Sequence, residues 1–258
     1  MDNPFRLDGK KGLVVGIANR ASIAHGCAEA FRRQGAELAV TYVNAKAEPH
    51  VRPLAEALEA PMILPCDVRE PGALESVFEA VAERWGRLDF LLHSIAYAPR
   101  EDLHGRVVDC SRDGFMMAMD VSCHSFLRMA RLAEPLMGAG GCLLTVSFYG
   151  SEKVVAHYNL MGPVKAALES CTRYMAAELG PKRIRVHALS PGPLKTRAAS
   201  GLDRFDELLD RAARLAPENH LVDIADCGNM AAFLVSDAAA NATGSIAFID
   251  GGYNILAG

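Results

Sequence analysis

Gly12-Leu13-Val14-Val15-Gly16-Ile17-Ala18-Asn19-Arg20-Ala21-Ser22-Ile23-Ala24-His25-Gly26 is the stretch whose reading decides the fold. Gly12 to Val15 is a short, unbroken apolar run, the form of a strand covered on both faces, and it stops at Gly16. From Ser22 onward, Ile23, Cys27, Ala30 and Phe31 recur at helical spacing, and Gly35 supplies a stop. A strand, a glycine turn and a helix opening beside a serine bring free backbone N–H groups and a positive helix end to one spot, which suits an anion. The turn is of dinucleotide type, yet it lacks the spacing G-x-G-x-x-G. By itself it is equally an ordinary tight connection between a strand and a helix.

The same alternation continues outward along the chain. Glu37 to Val43 reads as a second strand, followed by a helix through Val51 to Leu58. Met62 to Leu64 is a third strand, running out at Cys66-Asp67-Val68. Leu74, Val77, Phe78 and Val81 line a helix opened by Pro71 and closed by Gly86. Leu88 to Ser94 is a fourth strand, and Phe115 to Met137 is predicted as one long, methionine-rich helix, a stripe that reads as core or as a subunit seam. Cys142 to Val146 delivers Ser147 and Phe148 to a strand end, and a helix carrying Tyr158 and Lys165 follows. Ile184 to Leu189 and Ser245 to Ile249 complete the strands, with Asp223 and Asp226 capping a last helix through Leu234. This order predicts an α/β fold: one domain over 1–258, a doubly wound, Rossmann-type parallel sheet of about seven strands with helices on both faces. Ligands of such sheets lie beyond the carboxyl ends of the strands, where Gly16, Val43, Asp67, Ser94, Ser147 and Pro191 all fall.

Composition narrows the function classes. The formal charge is −4 with the two signs interspersed, so no basic stripe is offered to nucleic acid or to an anionic membrane. No apolar run is long enough to span a bilayer. Met1-Asp2-Asn3-Pro4 lacks the basic and apolar regions of a signal peptide. Seven cysteines without CxxC spacing read as buried free thiols in a reducing cytoplasm, Cys66 included, and no metal site is expected.

Tyr158 and Lys165 are seven residues apart, so on one helix they would share a face, with a rise of about 10 Å and roughly 20° of drift. A neighbouring ammonium favours the ionised phenol or strengthens it as a donor. That pair suits a site where negative charge develops on a substrate oxygen. The spacing is weak by itself, since a tyrosine packed on a helix beside a solvated lysine has the same pattern.

Taken together, these residues resemble the short-chain dehydrogenase/reductase superfamily, and within it the NADH-dependent enoyl-[acyl-carrier-protein] reductases. The narrower resemblance rests on Gly16-x5-Ser22-Ile23-Ala24-x-Gly26, on His93-Ser94-Ile95-Ala96, on Tyr158-Asn159-Leu160-Met161-Gly162-Pro163-Val164-Lys165, on Ser190 to Gly201 and on Asp250-Gly251-Gly252. It implies that Gly16, Ile17, Ser22 and Ile23 cradle a pyrophosphate, and that Asp67 and Val68 hold an adenine. Ser94, Ile95 and Ala96 would line the ribose and nicotinamide side, with Lys165 on the ribose hydroxyls and Leu194, Lys195 and Thr196 over the nicotinamide amide. Val43, Pro191 and Gly192 complete the implied cofactor set. Tyr158 would bond the thioester carbonyl, with Ala98 and Ala198 beside the substrate and a substrate-binding loop at about 193–217. The partner implied is an acyl-carrier protein bearing an enoyl thioester, and the assembly a homotetramer. Tyr42-Val43-Asn44-Ala45-Lys46 offers no acid for a ribose 2′-hydroxyl and no paired bases for a 2′-phosphate, with Lys46 read as a solvated helix-start residue; NADH is expected over NADPH.

Three positions depart from the family pattern. Phe148 stands where many bacterial members carry a second tyrosine, and Tyr149 is its neighbour. Either Tyr149 turns into that role or Tyr158 acts alone; adjacent side chains of an extended segment point oppositely, which favours Tyr158 alone. Pro163 is expected to kink the helix between Tyr158 and Lys165. Ala216-Pro217-Glu218-Asn219-His220 lacks the arginines that family members carry after that proline. Two alternatives therefore stand beside enoyl reduction: a reductase of carbonyls or specialised double bonds, with Thr145 in place of the usual serine, or a weakly active nucleotide-binding relative.

Overall fold

The computed structural model describes residues 3–196 and 205–256. Among them lie seven parallel strands: β1 (Lys11–Val15), β2 (Glu37–Tyr42), β3 (Met62–Pro65), β4 (Phe90–His93), β5 (Gly141–Val146), β6 (Ile184–Pro191) and β7 (Ile246–Ile249). Their order is β3-β2-β1-β4-β5-β6-β7, so the strand sequence reverses direction beside β1. That reversal is where an open α/β sheet leaves a crevice. The register aligns the strand ends along this crevice: Val15 pairs with His93, His93 with Thr145, Val146 with Leu189, and Pro191 with Ile249.

The strands are mainly apolar because both sheet faces are covered. Val14, Leu92 and Leu144 face one side, against Phe31, Cys27 and Val51 of helices α1 (Ile23–Arg33) and α2 (Glu48–Ala57). Leu13, Leu91 and Leu143 face the other, against Phe78 of α3 (Ala73–Trp85) and residues further along the chain. A short helix α4 (Arg100–Leu103) follows β4, and α5 (Arg112–Met119) is capped by Ser111, whose Oγ accepts from the Gly114 N–H.

The predicted unbroken helix from Phe115 to Met137 is corrected. After α5 the backbone widens into a π turn at Asp120–His124, continues as α6 (Ser125–Ala133), and tightens to a 3₁₀ turn at Glu134–Leu136. The side chains account for the break: Ser125 Oγ donates to the Val121 carbonyl at 2.7 Å, and Ser122 Oγ turns away to bond both the N–H and the carbonyl of Tyr97. Such π turns concentrate at functional sites. Then come α7 (Met161–Leu179), α8 (Phe205–Leu215) and α9 (Ile224–Val235). The expected cap of α9 is present as a reciprocal pair, Asp223 accepting from the Asp226 N–H and Asp226 from the Asp223 N–H. No helix among the described residues is long and apolar enough to cross a membrane.

Candidate active site

The turn between β1 and α1 is folded by its own residues. Gly16 sits at φ 121°, and a Cβ there would lie 2.0 Å from the Ser94 carbonyl oxygen, so only glycine lets β1 and β4 end side by side. Ser22 Oγ accepts from the N–H groups of Ala18 and Asn19, each at 3.0 Å. Ser22 is buried and shapes the turn, and it does not line the crevice. The first turn of α1 holds no acidic residue, which leaves its positive end uncompensated.

Beyond this turn opens a cavity of about 810 Å³ bounded by Gly16, Ile17, Val43, Cys66, Asp67, Val68 and Ser94 to Tyr97. Asp67 is claimed by Arg69, whose Nε and Nη2 donate to its two oxygens at 3.0 and 2.6 Å, and this holds the carboxyl below its ordinary range. Arg69 also lies over the Tyr97 ring at 5.7 Å. Nothing in the sequence spacing announced that arginine as a wall of the cavity.

A second space of about 320 Å³ lies beside the first and shares Ser94, Ile95, Ala96 and Tyr97 with it as lining. It is lined by Ile23, Ala98, Leu103, Phe148, Tyr158, Met161, Lys165, Pro191, Gly192, Leu194 and Thr196, among others. Tyr158 and Lys165 thus meet in one cavity, but not by sharing a helix face. α7 begins at Met161, and Tyr158 stands ahead of it in a turn between His157 at φ 63° and Asn159 at φ 43°. Asn159 Nδ2 pins this turn to the Leu103 carbonyl at 3.0 Å. The kink expected from Pro163 does not separate the pair either. Pro163 is the third residue of α7, where its missing N–H would have met the Asn159 carbonyl, and that carbonyl accepts from Gly162 at 3.0 Å.

The Tyr158 ring packs on Phe148 at 4.8 Å between centroids. Gly150 leaves room for it: a Cβ there would lie 2.6 Å from Tyr158 Cδ1. The phenol is pushed well above its ordinary value, first by burial and then by the charge of Glu169, so of the two expected states the ionised one is disfavoured and the protonated donor is kept. Lys165 is buried, its Nζ donates to the Val146 carbonyl at 2.6 Å, and burial pulls it down to about 8 against the opposing influence of Cys123 and Glu169. Glu169, four residues on and one turn further along α7, accepts from Ser147 Oγ at 2.5 Å and Ser151 Oγ at 2.6 Å. Its spacing from Lys165 was the available signal, and sequence reasoning passed over it.

Tyr149 does not enter this cavity. It turns to the opposite side, edge-on to Tyr253 at 5.3 Å, because the backbone at Phe148 is extended and neighbours alternate. Lys195 is exposed and lies 3.4 Å from Asp206, away from the cavity lining. Ala198 and part of the 193–217 loop lie outside the described residues. Thr145, the hydroxyl weighed for carbonyl reduction, is fully buried beneath the crevice. It bonds His93 Nδ1 at 2.8 Å, while His93 Nε2 meets Ser125 Oγ at 2.8 Å. Since Ser125 gives its proton to Val121, it accepts from Nε2–H and Thr145 donates to Nδ1; burial holds this imidazole neutral at about 3.

Against known proteins, the family model described as enoyl-(acyl carrier protein) reductase matches residues 16–254. The chain is 44% identical over 250 residues to enoyl-[acyl-carrier-protein] reductase [NADH] 1 of Rhizobium meliloti, covering 97% of this chain and 92% of that one. It is 43% identical to the corresponding NADH enzyme of Aquifex aeolicus, over 97% of this chain and 93% of the relative. Among solved structures it resembles the enoyl-(acyl-carrier-protein) reductase of Anaplasma phagocytophilum in complex with NAD, at TM-score 0.94 and 42% identity over 98% and 96% of the two chains. With this match running through both cavities and nearly end to end, the chain belongs to the enoyl-(acyl carrier protein) reductase family.

Proposed function

We propose that this chain reduces the trans-2 double bond of an enoyl-[acyl-carrier-protein] with hydride from NADH, in fatty-acid or related acyl-chain synthesis. The observation that supports this most is the adjacency of two cavities with a common lining at Ser94 to Tyr97, one at the uncompensated end of α1 and one enclosing Tyr158 and Lys165. A dinucleotide fits the first: its pyrophosphate would rest at Gly16, Ile17 and Ile23, and its adenine between Val43 and Val68. Asp67 would serve the adenine amine once Arg69 shares or releases it. Val43 to Lys46 are exposed and offer no paired bases for a 2′-phosphate, which supports NADH. Ser94 to Ala96, Pro191, Gly192, Leu194 and Thr196 would enclose the nicotinamide half.

When bound there, the reduced nicotinamide supplies the hydride. Everything else falls to side chains. Tyr158 donates from its hydroxyl to the thioester carbonyl oxygen, where negative charge grows as the β-carbon is reduced. A phenol kept protonated by burial and by Glu169 is suited to donate. Lys165 would hold the ribose hydroxyls, and its partial charge steadies the same oxygen. Phe148, Met161 and Leu103 exclude water from the reacting group. Tyr149, facing Tyr253, takes no part.

The acyl-carrier protein follows from the family, and a homotetramer in the cytoplasm is proposed with it. Phe115, Met116 and Tyr174 are 37%, 56% and 71% exposed on α5 and α7, a seam for a second copy. NADH consumption with a short trans-2-enoyl thioester, beside a panel of ketones, tests the reaction. Turnover of the enoyl thioester supports it; turnover of ketones alone would overturn it.

A further inference from the structure

Glu169 is 3% exposed, and a carboxylate so deeply buried is costly unless it accepts hydrogen bonds. Lys165, four residues earlier on α7, stands at the spacing of an ion pair, but its Nζ turns to the Val146 carbonyl at 2.6 Å. One carboxylate oxygen of Glu169, Oε1, instead takes both Ser147 Oγ at 2.5 Å and Ser151 Oγ at 2.6 Å. Those lengths are typical of hydroxyls donating to a charged acceptor. The two serines bracket Phe148-Tyr149-Gly150, and this stretch is the bed of the Tyr158 ring. Phe148 lies 4.8 Å from that ring between centroids, and a Cβ on Gly150 would meet Tyr158 Cδ1 at 2.6 Å. The Gly150 carbonyl also abuts the start of α7, where a Cβ on Gly162 would lie 3.1 Å from its oxygen. Ser147 is held to the sheet as well, its N–H donating to the Leu189 carbonyl at 2.6 Å. Ser151 closes a local turn, its N–H on the Phe148 carbonyl at 3.0 Å, and its hydroxyl ties that turn to α7 through Glu169.

We propose that Glu169 is a positioning residue for the reaction: by gripping Ser147 and Ser151 with one oxygen it fixes the Phe148–Gly150 bed, and so sets where the Tyr158 hydroxyl meets the substrate oxygen. Glu169 touches neither substrate nor cofactor in this role and acts through the two serines. The inference rests on the enoyl reduction proposed above. Without the grip, the Ser151 end of the bed is free to shift, and the ring that rests on it shifts with it. Displacements of about 1 Å at a reacting group are enough to cost roughly 10²-fold in rate. A neutral side chain with an acceptor oxygen at the same place would keep the grip, whereas an apolar one would leave two buried hydroxyls to find other partners. The charge of Glu169, acting after burial, also keeps the phenol protonated, as a donor to the carbonyl must be.

The test uses the full-length protein and three readouts: kcat with a short trans-2-enoyl thioester, NADH affinity by fluorescence titration, and amide hydrogen exchange over residues 147–160. Glu169→Ala is expected to lower kcat by about 10–100-fold with NADH affinity kept within about twofold. Exchange over 147–160 should rise by about tenfold while the strands keep their protection. Glu169→Gln, whose amide oxygen can accept from both hydroxyls, is expected to restore most of the lost kcat. Ser151→Ala should cost about 3–10-fold in kcat by itself and nothing further in the Glu169→Ala background, because the two share one interaction. Unchanged kcat or unchanged exchange in Glu169→Ala, an equal loss of NADH affinity, or additive losses in the double variant would each overturn the proposal. Should Glu169→Ala fail to fold, Ser151→Ala carries the test, and unchanged kcat and exchange there would overturn it. A wild type that does not turn over the enoyl thioester would sink the reaction and not the grip, since exchange over 147–160 reads the grip without substrate.

Discussion

The chain leaves the sheet for a helix at two places that matter, and the two are built by different rules. Between β1 and α1, the seven residues Gly16 to Ser22 close on themselves, with one hydroxyl gathering two N–H groups and one glycine permitting the bend. Between β5 and α7, Ser147 to Leu160 has a local turn at Tyr149–Ser151 and the rings of Phe148 and Tyr158 packed about Gly150, but it also leans on partners outside itself, Glu169 in the helix and Leu103 before α5. A local turn survives the loss of one contact. A connection held from outside passes each loss to the side chain it presents.

The largest effect follows from removing what the second connection presents. Tyr158→Phe is expected to lower kcat/KM for an enoyl thioester by about 10²–10³ while NADH binding, read by fluorescence titration, is unchanged. Equal losses in both would place Tyr158 in cofactor binding instead. Gly150→Ala leaves every polar group in place but drives a methyl into the Tyr158 ring, and a displacement of about 1 Å is expected to cost roughly 10–100-fold in kcat. Unaltered kcat in that variant would show that the second connection yields without moving its tyrosine.

Next comes pH. Lys165 is pulled down to about 8, so its ammonium is fully present well below that value and is lost as pH rises through it. Activity that depends on the ammonium is expected to fall by about tenfold per unit above pH 8, and Lys165→Met to abolish that limb. Stability moves oppositely. Between about 8 and the ordinary 10.5 the unfolded chain holds a proton that the folded chain has released, so this group makes the fold more stable as pH rises across that window. Chemical denaturation of wild type and Lys165→Met across the window reads that difference.

The first connection is expected to respond more mildly. Ser22→Ala removes the acceptor for two N–H groups and should cost about 1 kcal/mol, or about 2–4 °C in Tm for a chain of this size, with kcat retained. The smallest effect is assigned to Tyr149→Phe, within about twofold in kcat/KM, since its ring faces Tyr253 outside the cleft and loses one hydrogen bond at most. A drop there as large as that of Tyr158→Phe would reverse the assignment of the two tyrosines.

The same division explains what was legible in the sequence. The apolar runs and helical stripes that place β1, α1 and the later strands are statements about neighbours in the chain, and they put six strand ends on one crevice. The cap of α9 was readable for the same reason. Tyr158 was assigned to a helix because its spacing from Lys165 is helical, whereas two left-handed residues and a bond to Leu103 hold it ahead of that helix. The π turn depends on Ser122 reaching Tyr97, twenty-five positions away, which no periodicity contains. Arg69 on Asp67 was close in sequence, but only the fold shows that both border the larger cavity.

Glu169 ties Ser147, Ser151 and, through its charge, Lys165 into a single brace. The wall that carries Phe148 and Tyr158 is therefore assembled before any guest arrives, and it has little give. Adaptation to acyl groups of other lengths must come from elsewhere around the rim, at Leu103, Met161 or Thr196. Directed changes in substrate scope have their greatest latitude there and their least at the braced wall.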